Sequence, residues 1–228
     1  MTVFNDIKLD NIDPEDFEDT LLKLEKSFGL KFADSSFKDA KTFGDICDII
    51  EGRLNLIHTD DCTAQQAFYK VRNAICLTQT FDATNIELGT SLENVFPRLN
   101  RKKNVAHFQQ ALGFPVNILT MKAWLFLVIV AGFVGSLVAF FFSWLYAVSG
   151  LILFTLFSWI ASKFSKELNV STVKELTEKI TREHYLSARR QRGTMNRNEI
   201  VKIIQDTFIA DHFLDQESLT RDAALGWK

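Results

Sequence analysis

Four histidines and three cysteines are the groups best suited to chemistry in this 228-residue chain, and their spacing assembles no site. Cys47, Cys62 and Cys76 are an odd number at wide intervals with no C-x-x-C, so neither a zinc knuckle nor a redox pair is spelled. Cys47 and Cys76 fall within apolar helical patterns and read as core thiols. His107, His184 and His212 sit on helical segments without a second His or Cys at metal-ligand spacing. The run His58-Thr59-Asp60-Asp61 could be a fragment of a metal site or triad, but reads better as a linker between modules. The signatures G-x-S-x-G, G-x-x-x-x-G-K and H-E-x-x-H are absent. Ser35, Ser36, Ser91 and Ser218 read as turn or cap residues. Arg182, Arg189, Arg190, Arg192 and Arg197 form the densest basic run, read as a solvated connection, with anionic lipid headgroups as the other reading. The expectation is a chain with no enzymatic activity, no metal and no cofactor.

The elements around these residues say more. The stretch from Ala123 to Ser162 contains no Asp, Glu, Lys, Arg or His, whereas both flanks are rich in charge. A single crossing of about 30 Å of hydrocarbon needs about 20 apolar residues, so this length predicts a two-helix transmembrane hairpin within 121–163. Ser143 and Ser149-Gly150 are its weakest points, and the turn is expected between them. Trp124, Trp144, Tyr146 and Trp159 lie near the expected ends, where amphipathic rings favour the headgroup level. Gly132, Gly135, Ser136 and Ala139 mark a small-residue face for close helix packing.

Arg98, Arg101, Lys102, Lys103 and Lys122 precede the segment, and Lys163 and Lys166 follow it. Positive charge on both sides predicts an inner-membrane, multi-pass protein with both termini cytoplasmic. The start of the chain has no basic stretch followed by an apolar one, so it does not read as a secretory signal. On that placement the sequon Asn169-Val170-Ser171 is chance. A net charge of −2 gives no basic stripe for nucleic acid.

The soluble flanks are helical and self-similar. One constant shift sets Leu21, Leu24, Phe28, Gly29, Leu30 and Phe32 on Val105, Phe108, Leu112, Gly113, Phe114 and Val116. Each stretch is an amphipathic helix ended by a glycine cap. Thr42 with Asp45 and Thr172 with Glu175 each spell a capping box, and Ile50 matches Ile180. Gly113 lies much farther from Thr172 than Gly29 does from Thr42, the excess being close to the length of the apolar segment. A looser match sets Thr90-Ser91-Leu92-Glu93 on Glu217-Ser218-Leu219-Thr220, with a short gap. The expectation is a helical module repeated, with the hairpin inserted into its second copy.

This pattern resembles acyl carrier proteins: a first helix, a long loop, a second helix ended as Leu24-Glu25-Lys26-Ser27-Phe28-Gly29-Leu30 is, a short third helix, and a Thr-capped fourth. The resemblance implies an all-α fold of acyl-carrier-like helical bundles plus the hairpin. Residues 1–58 resemble helices two to four. Residues 62–120 are the first part of a second module, and 164–186 supply its last helix. Residues 195–228 resemble helix one and its loop, docking on 1–58, with the stripe Ile200, Ile203, Ile204 and Phe208 against Leu21, Leu24 and Ile46. The phosphopantetheine serine of the family falls on Pro14 and Arg98, neither of which can carry the group. Helix two faces partners in that family, which makes Phe17, Leu21, Asn104 and His107 the candidate partner-binding residues.

The resulting reading is a non-catalytic, membrane-anchored adaptor whose degenerate carrier-like modules bind a protein partner. The family implies an enzyme of lipid or secondary-metabolite assembly as that partner. The alternative is an immunity or regulatory membrane protein that binds a toxin or channel. Membrane lipid and a protein are the expected partners, and nucleic acid is not.

Overall fold

A computed structural model describes residues 8–9, 13–33, 35–163, 166–212, 214 and 219–225. These are mostly helical. Two compact units divide them: residues 1–71 with 177–228, and residues 72–176. Helices α3 (Thr63–Thr78) and α8 (Val173–Glu183) each run through a boundary.

The first unit is built from both ends of the chain. Helix α1 (Pro14–Phe28) starts where Asp13 accepts from the Glu15 N–H, with Pro14 at a position that needs no donor. It stops at Gly29, whose φ of +63° lies in the left-handed region and whose N–H reaches Glu25 O. Helix α2 (Phe43–Arg53) opens with the full capping box of Thr42 and Asp45. Backbone N–H groups of Lys41 and Thr42 draw the Asp45 carboxyl below its ordinary value. Helix α10 (Arg197–His212) buries Ile200, Ile203, Ile204 and Phe208 on one face, at helical spacing. It packs on both α1 and α2. One core holds Leu24, Phe28, Ile46, Ile50, Ile204 and Phe208, with Leu21 partly buried against it. The Phe208 ring meets Phe43 at 5.4 Å and Phe17 at 5.8 Å between centroids. Strand β1 (Lys8–Leu9) pairs in parallel with β6 (Ala224–Leu225), and β2 (Ile57–His58) with β5 (Thr194–Met195).

His58 therefore belongs to a strand of this unit and is not part of a linker. The basic run is not simply solvated either, because Arg189, just after the short helix α9 (Tyr185–Ala188), is 1% exposed. Its guanidinium donates to Thr59, Thr63 and Thr194 hydroxyls and to Asp61 O. Cys47 is fully buried, and desolvation pushes its thiol up to about 12. Cys76 is only half-buried, which corrects its reading as a core thiol.

The second unit includes α4 (Leu92–Val95), α5 (Arg101–Leu112), α6 (Ala123–Ala139) and α7 (Trp144–Lys163). Leu92 N–H donates to Ser171 O, Val173 N–H to Thr90 O, and Lys174 N–H to Leu88 O. In the first unit Leu225 N–H donates to Lys41 O, Phe43 N–H to Ala223 O, and Gly44 N–H to Arg221 O. The two ladders have the same donors and acceptors, with 88–92 standing where 221–225 stand. In the same register the buried Ala67, Val71, Ala74, Ile75 and Ile86 match the buried Ile200, Ile204, Thr207, Phe208 and Leu219. No gap is needed, and Ser91 corresponds to Ala224 rather than to Ser218. Ser218 itself lies outside the described residues.

Helices α6 and α7 pack against each other across a turn at 140–143. Ser143 stands directly before α7, but Ser149 and Gly150 lie within that helix, so the turn comes earlier than the sequence suggests. Gly150 is needed for packing instead. A Cβ there would collide with Ser136, and one at Gly132 would collide with Phe154, which fixes the pair as antiparallel. Gly135 faces open space and is not in this contact. Outside the contact the two helices expose large apolar side chains almost everywhere: Trp124 is 60% exposed, Leu127 64% and Trp159 59%. Trp144–Ala161 is long and apolar enough to cross a membrane, whereas α6 is shorter. Strand β3 (Leu119–Thr120) pairs antiparallel with β4 (Glu167–Leu168), so the chain leaves this helical pair beside where it entered.

Candidate functional site

The face of α1 beside its core stripe borders a groove of about 650 Å³. Phe17, Leu21 and Leu22 form one wall, with Phe32, Ala33 and Phe37 across from them. The opposite wall is held by α1's own exit: the Glu25 carboxylate accepts from the Phe32 N–H and lies 3.5 Å from Lys31 Nζ. Phe32 and Phe37 stack edge to face at 4.9 Å, and Arg53 lies over the Phe32 ring. Of the exposed acidic residues on this helix, Glu18 borders the groove, and the Glu25–Lys31 pair closes its other end. Leu22 is 52% exposed, so the groove presents apolar area to solvent beside Glu18.

The four candidate partner residues do not share one environment. Phe17 is 9% exposed and holds the core through Phe37 and Phe208, so it contributes a groove wall rather than a free anchor. Leu21 is half-buried and lines the groove. Asn104 is half-buried and His107 exposed on α5 of the other unit. On the shift that sets Leu21 on Val105, Phe17 falls on Arg101, which is buried and bonded to Phe96 O, Lys166 O and Glu93. The second helix thus has a cation where the first has a groove-lining ring. Of the two positions matched to the carrier serine, Pro14 opens α1, and Arg98 is exposed and paired with Glu167 at 2.6 Å. Ser91 caps α4, accepting from the Glu93 N–H.

One buried constellation resembles a nucleophile with its base. Thr20 Oγ1 lies 2.9 Å from Asp211 Oδ2 and 3.0 Å from His212 Nε2. Its single hydrogen cannot serve both neighbours along with Asp16 O at 3.1 Å. Thr20 is fully buried, so no substrate can reach it. The cluster joins α1 to α10, helped by Lys23 and Asp211 at 2.7 Å. Sequence spacing could not reveal it, since Thr20 and His212 are 192 residues apart.

Burial holds His212 and His184 below the ordinary histidine range; Lys26 adds to this at His184, while Asp211 opposes it at His212. The unfolded chain takes up these protons near pH 6.5, and the folded chain resists them. Stability of the first unit should therefore be full above that pH and decline as pH falls through it. Asp206 acts in the opposite sense, its carboxyl raised by burial. Thermal melts of wild type and His184→Gln/His212→Gln between pH 7.5 and 5.5 isolate the histidine part. The wild type should lose a few degrees more than the variant.

A second cavity of about 550 Å³ in the first unit is lined by Cys62, Glu178, Arg182, Glu199, Lys202 and Asp206, among others. Its charges alternate in sign, and Glu199 already accepts the Thr63 N–H at the start of α3. Among the described residues no group of three or more His, Cys, Asp or Glu could hold a metal ion. No family model, curated protein or solved structure matches this chain.

Proposed function

We propose that this protein is a membrane-anchored adaptor without catalytic activity, in which carrier-like helical modules hold a protein partner beside a bilayer. The observation that carries the anchor is the outward surface of α6 and α7, apolar on nearly every side and uncovered by the rest of its unit. Monomeric soluble proteins rarely present an apolar patch of such extent to water. The β3–β4 pair supports a hairpin with both ends on one side, because entry and exit are hydrogen-bonded neighbours. Helix α6, of 17 residues, rises about 26 Å, and the apolar turn at 140–142 adds depth to a slightly thinned bilayer. The paired ladders and the shared register of buried positions support a duplicated module with the hairpin inserted in one copy.

The groove on α1 supports the adaptor role. Its form suits an apolar anchor residue with a basic side chain beside it, which Glu18 would orient. The resemblance to acyl carrier proteins makes an enzyme of lipid or secondary-metabolite assembly the partner to seek. Leu22→Asp places a charge in the groove at a half-exposed position, and Glu18→Lys reverses the charge at its edge. Full-length protein in detergent, compared with each variant by quantitative pull-down, should lose its specific partner at least about tenfold with Leu22→Asp, a cost of roughly 1.4 kcal/mol. Equal recovery of every co-purifying protein by wild type and both variants would overturn this assignment of the docking face.

A further inference from the structure

Apolar and charged residues in the second unit meet at the corner between α4 and α5. Leu99 is 86% exposed there, the most exposed leucine among the described residues. A single exposed leucine means little by itself, but the position of this one is fixed on both sides. Arg98 Nη2 is 2.6 Å from Glu167, and Arg101 Nη1 donates to Lys166 O at 2.7 Å. The corner is thus fastened to the chain just as it leaves α7. Lys166 follows closely on the end of α7 at Lys163, a reach of at most about 10 Å. The interfacial layer of a bilayer is about 5–7 Å deep on each side.

Charge at this end is one-sided. The acidic residues near the corner, Glu93 and Glu167, are paired with Arg101 and Arg98. Lys103, Lys122 and Lys166 are exposed, and α5 has no acidic residue in its first turn. Arg101 in that turn is held by Phe96 O, Lys166 O and Glu93, whereas exposed Lys103 opposes the helix dipole and water gives it no compensation. An anionic surface does.

We infer that this corner is a second membrane contact, in which Leu99 enters the interfacial layer while Lys103, Lys122 and Lys166 bind anionic lipid headgroups. The inference rests on the membrane-anchor reading. It goes further by naming the lipid class and by making the second unit lie on the bilayer surface instead of standing off it. A cation near an anionic leaflet strengthens attachment roughly fivefold.

The full chain is reconstituted in nanodiscs of phosphatidylcholine alone, or with one quarter phosphatidylglycerol, and amide exchange is followed over 98–103 and over 123–161. The expected result is protection of 123–161 in both discs and at least about fivefold slower exchange at 98–103 only with the anionic lipid. Lys103→Glu with Lys166→Glu should abolish that difference, and Leu99→Ser should reduce it, both leaving 123–161 protected. Protection of 123–161 with identical exchange at 98–103 in both discs would overturn the inference alone. Failure of 123–161 to be protected in either disc would overturn the anchor reading and this inference together.

Discussion

Phe208→Ala is expected to destabilise the first unit by about 3–5 kcal/mol, the usual cost of removing a buried phenyl ring and leaving a cavity. The ring is fully buried, and its neighbours come from both ends of the chain: Phe17 on α1 and Phe43 at the start of α2. Neither helix can close the gap without losing its hold on the other. Amide exchange should therefore accelerate throughout α1 and α2, at the far end of the sequence, and not only in α10. Removing residues 195–228 should go further. It strips the core of Ile200, Ile203, Ile204 and Phe208, each worth roughly 1.5–3 kcal/mol when buried, leaves β1 without its partner and removes Met195 from beside β2. Residues 21–28 should then exchange at rates close to those of an unfolded chain. If their protection survived truncation, the two ends would not form one folding unit.

Replacing residues 121–165 by a short turn containing Asn-Gly is expected to move the protein from the membrane pellet to the soluble fraction without unfolding it. Thr120 and Glu167 are paired residues of an antiparallel ladder, which is the geometry a short hairpin turn closes. Arg101 retains its acceptor at Lys166 O, and the Thr90–Val173 ladder is untouched. Cytosolic recovery should rise from a minor fraction to most of the protein, with the helical circular dichroism reduced by the loss of α6 and α7 alone. Aggregation of this variant with loss of the remaining helical signal would mean that the apolar pair forms part of the soluble core and does not insert into lipid.

Local signals in the sequence identified the helix ends well, because caps act through a few neighbouring residues. Gly29 and Gly113 both adopt the left-handed conformation, and Thr42 and Thr172 both accept from an N–H three residues on. The stripe on α10 and its contact with Leu24 and Ile46 also follow from side-chain spacing, since an amphipathic face must be covered. The turn between α6 and α7 did not follow. Phe140, Phe141 and Phe142 carry no turn chemistry, and the Ser-Gly pair that does is used to let two helices approach. Arg189 was illegible for a different reason. Its partners Thr59, Asp61 and Thr63 are hydroxyls and a carbonyl from a distant segment, Thr194 is a neighbouring hydroxyl, and no acidic residue nearby in sequence marks it as buried. The two-residue strands are set by tertiary neighbours rather than by propensity, so they leave no period to read. In the groove, Leu21 follows from the resemblance to the carrier family's second helix, whereas Phe32 and Phe37 do not, because they reach it from a loop.

Joining the two ends of the chain in one core sets an order on biosynthesis. Helices α1 and α2 leave the ribosome early and are complete at Arg53, yet the helix that covers them ends only at His212. Synthesis at roughly 5–20 residues per second makes that delay about 8–32 seconds. Throughout it Phe17, Leu24, Phe28 and Ile46 must remain uncovered or be sheltered by another protein, while the apolar pair α6 and α7 emerges behind them. Nascent chains stalled before residue 197 should accordingly crosslink to chaperones through α1, and chains stalled with the whole sequence clear of the ribosome should not. A core whose halves are synthesised so far apart depends on what accompanies the first of them in the interval.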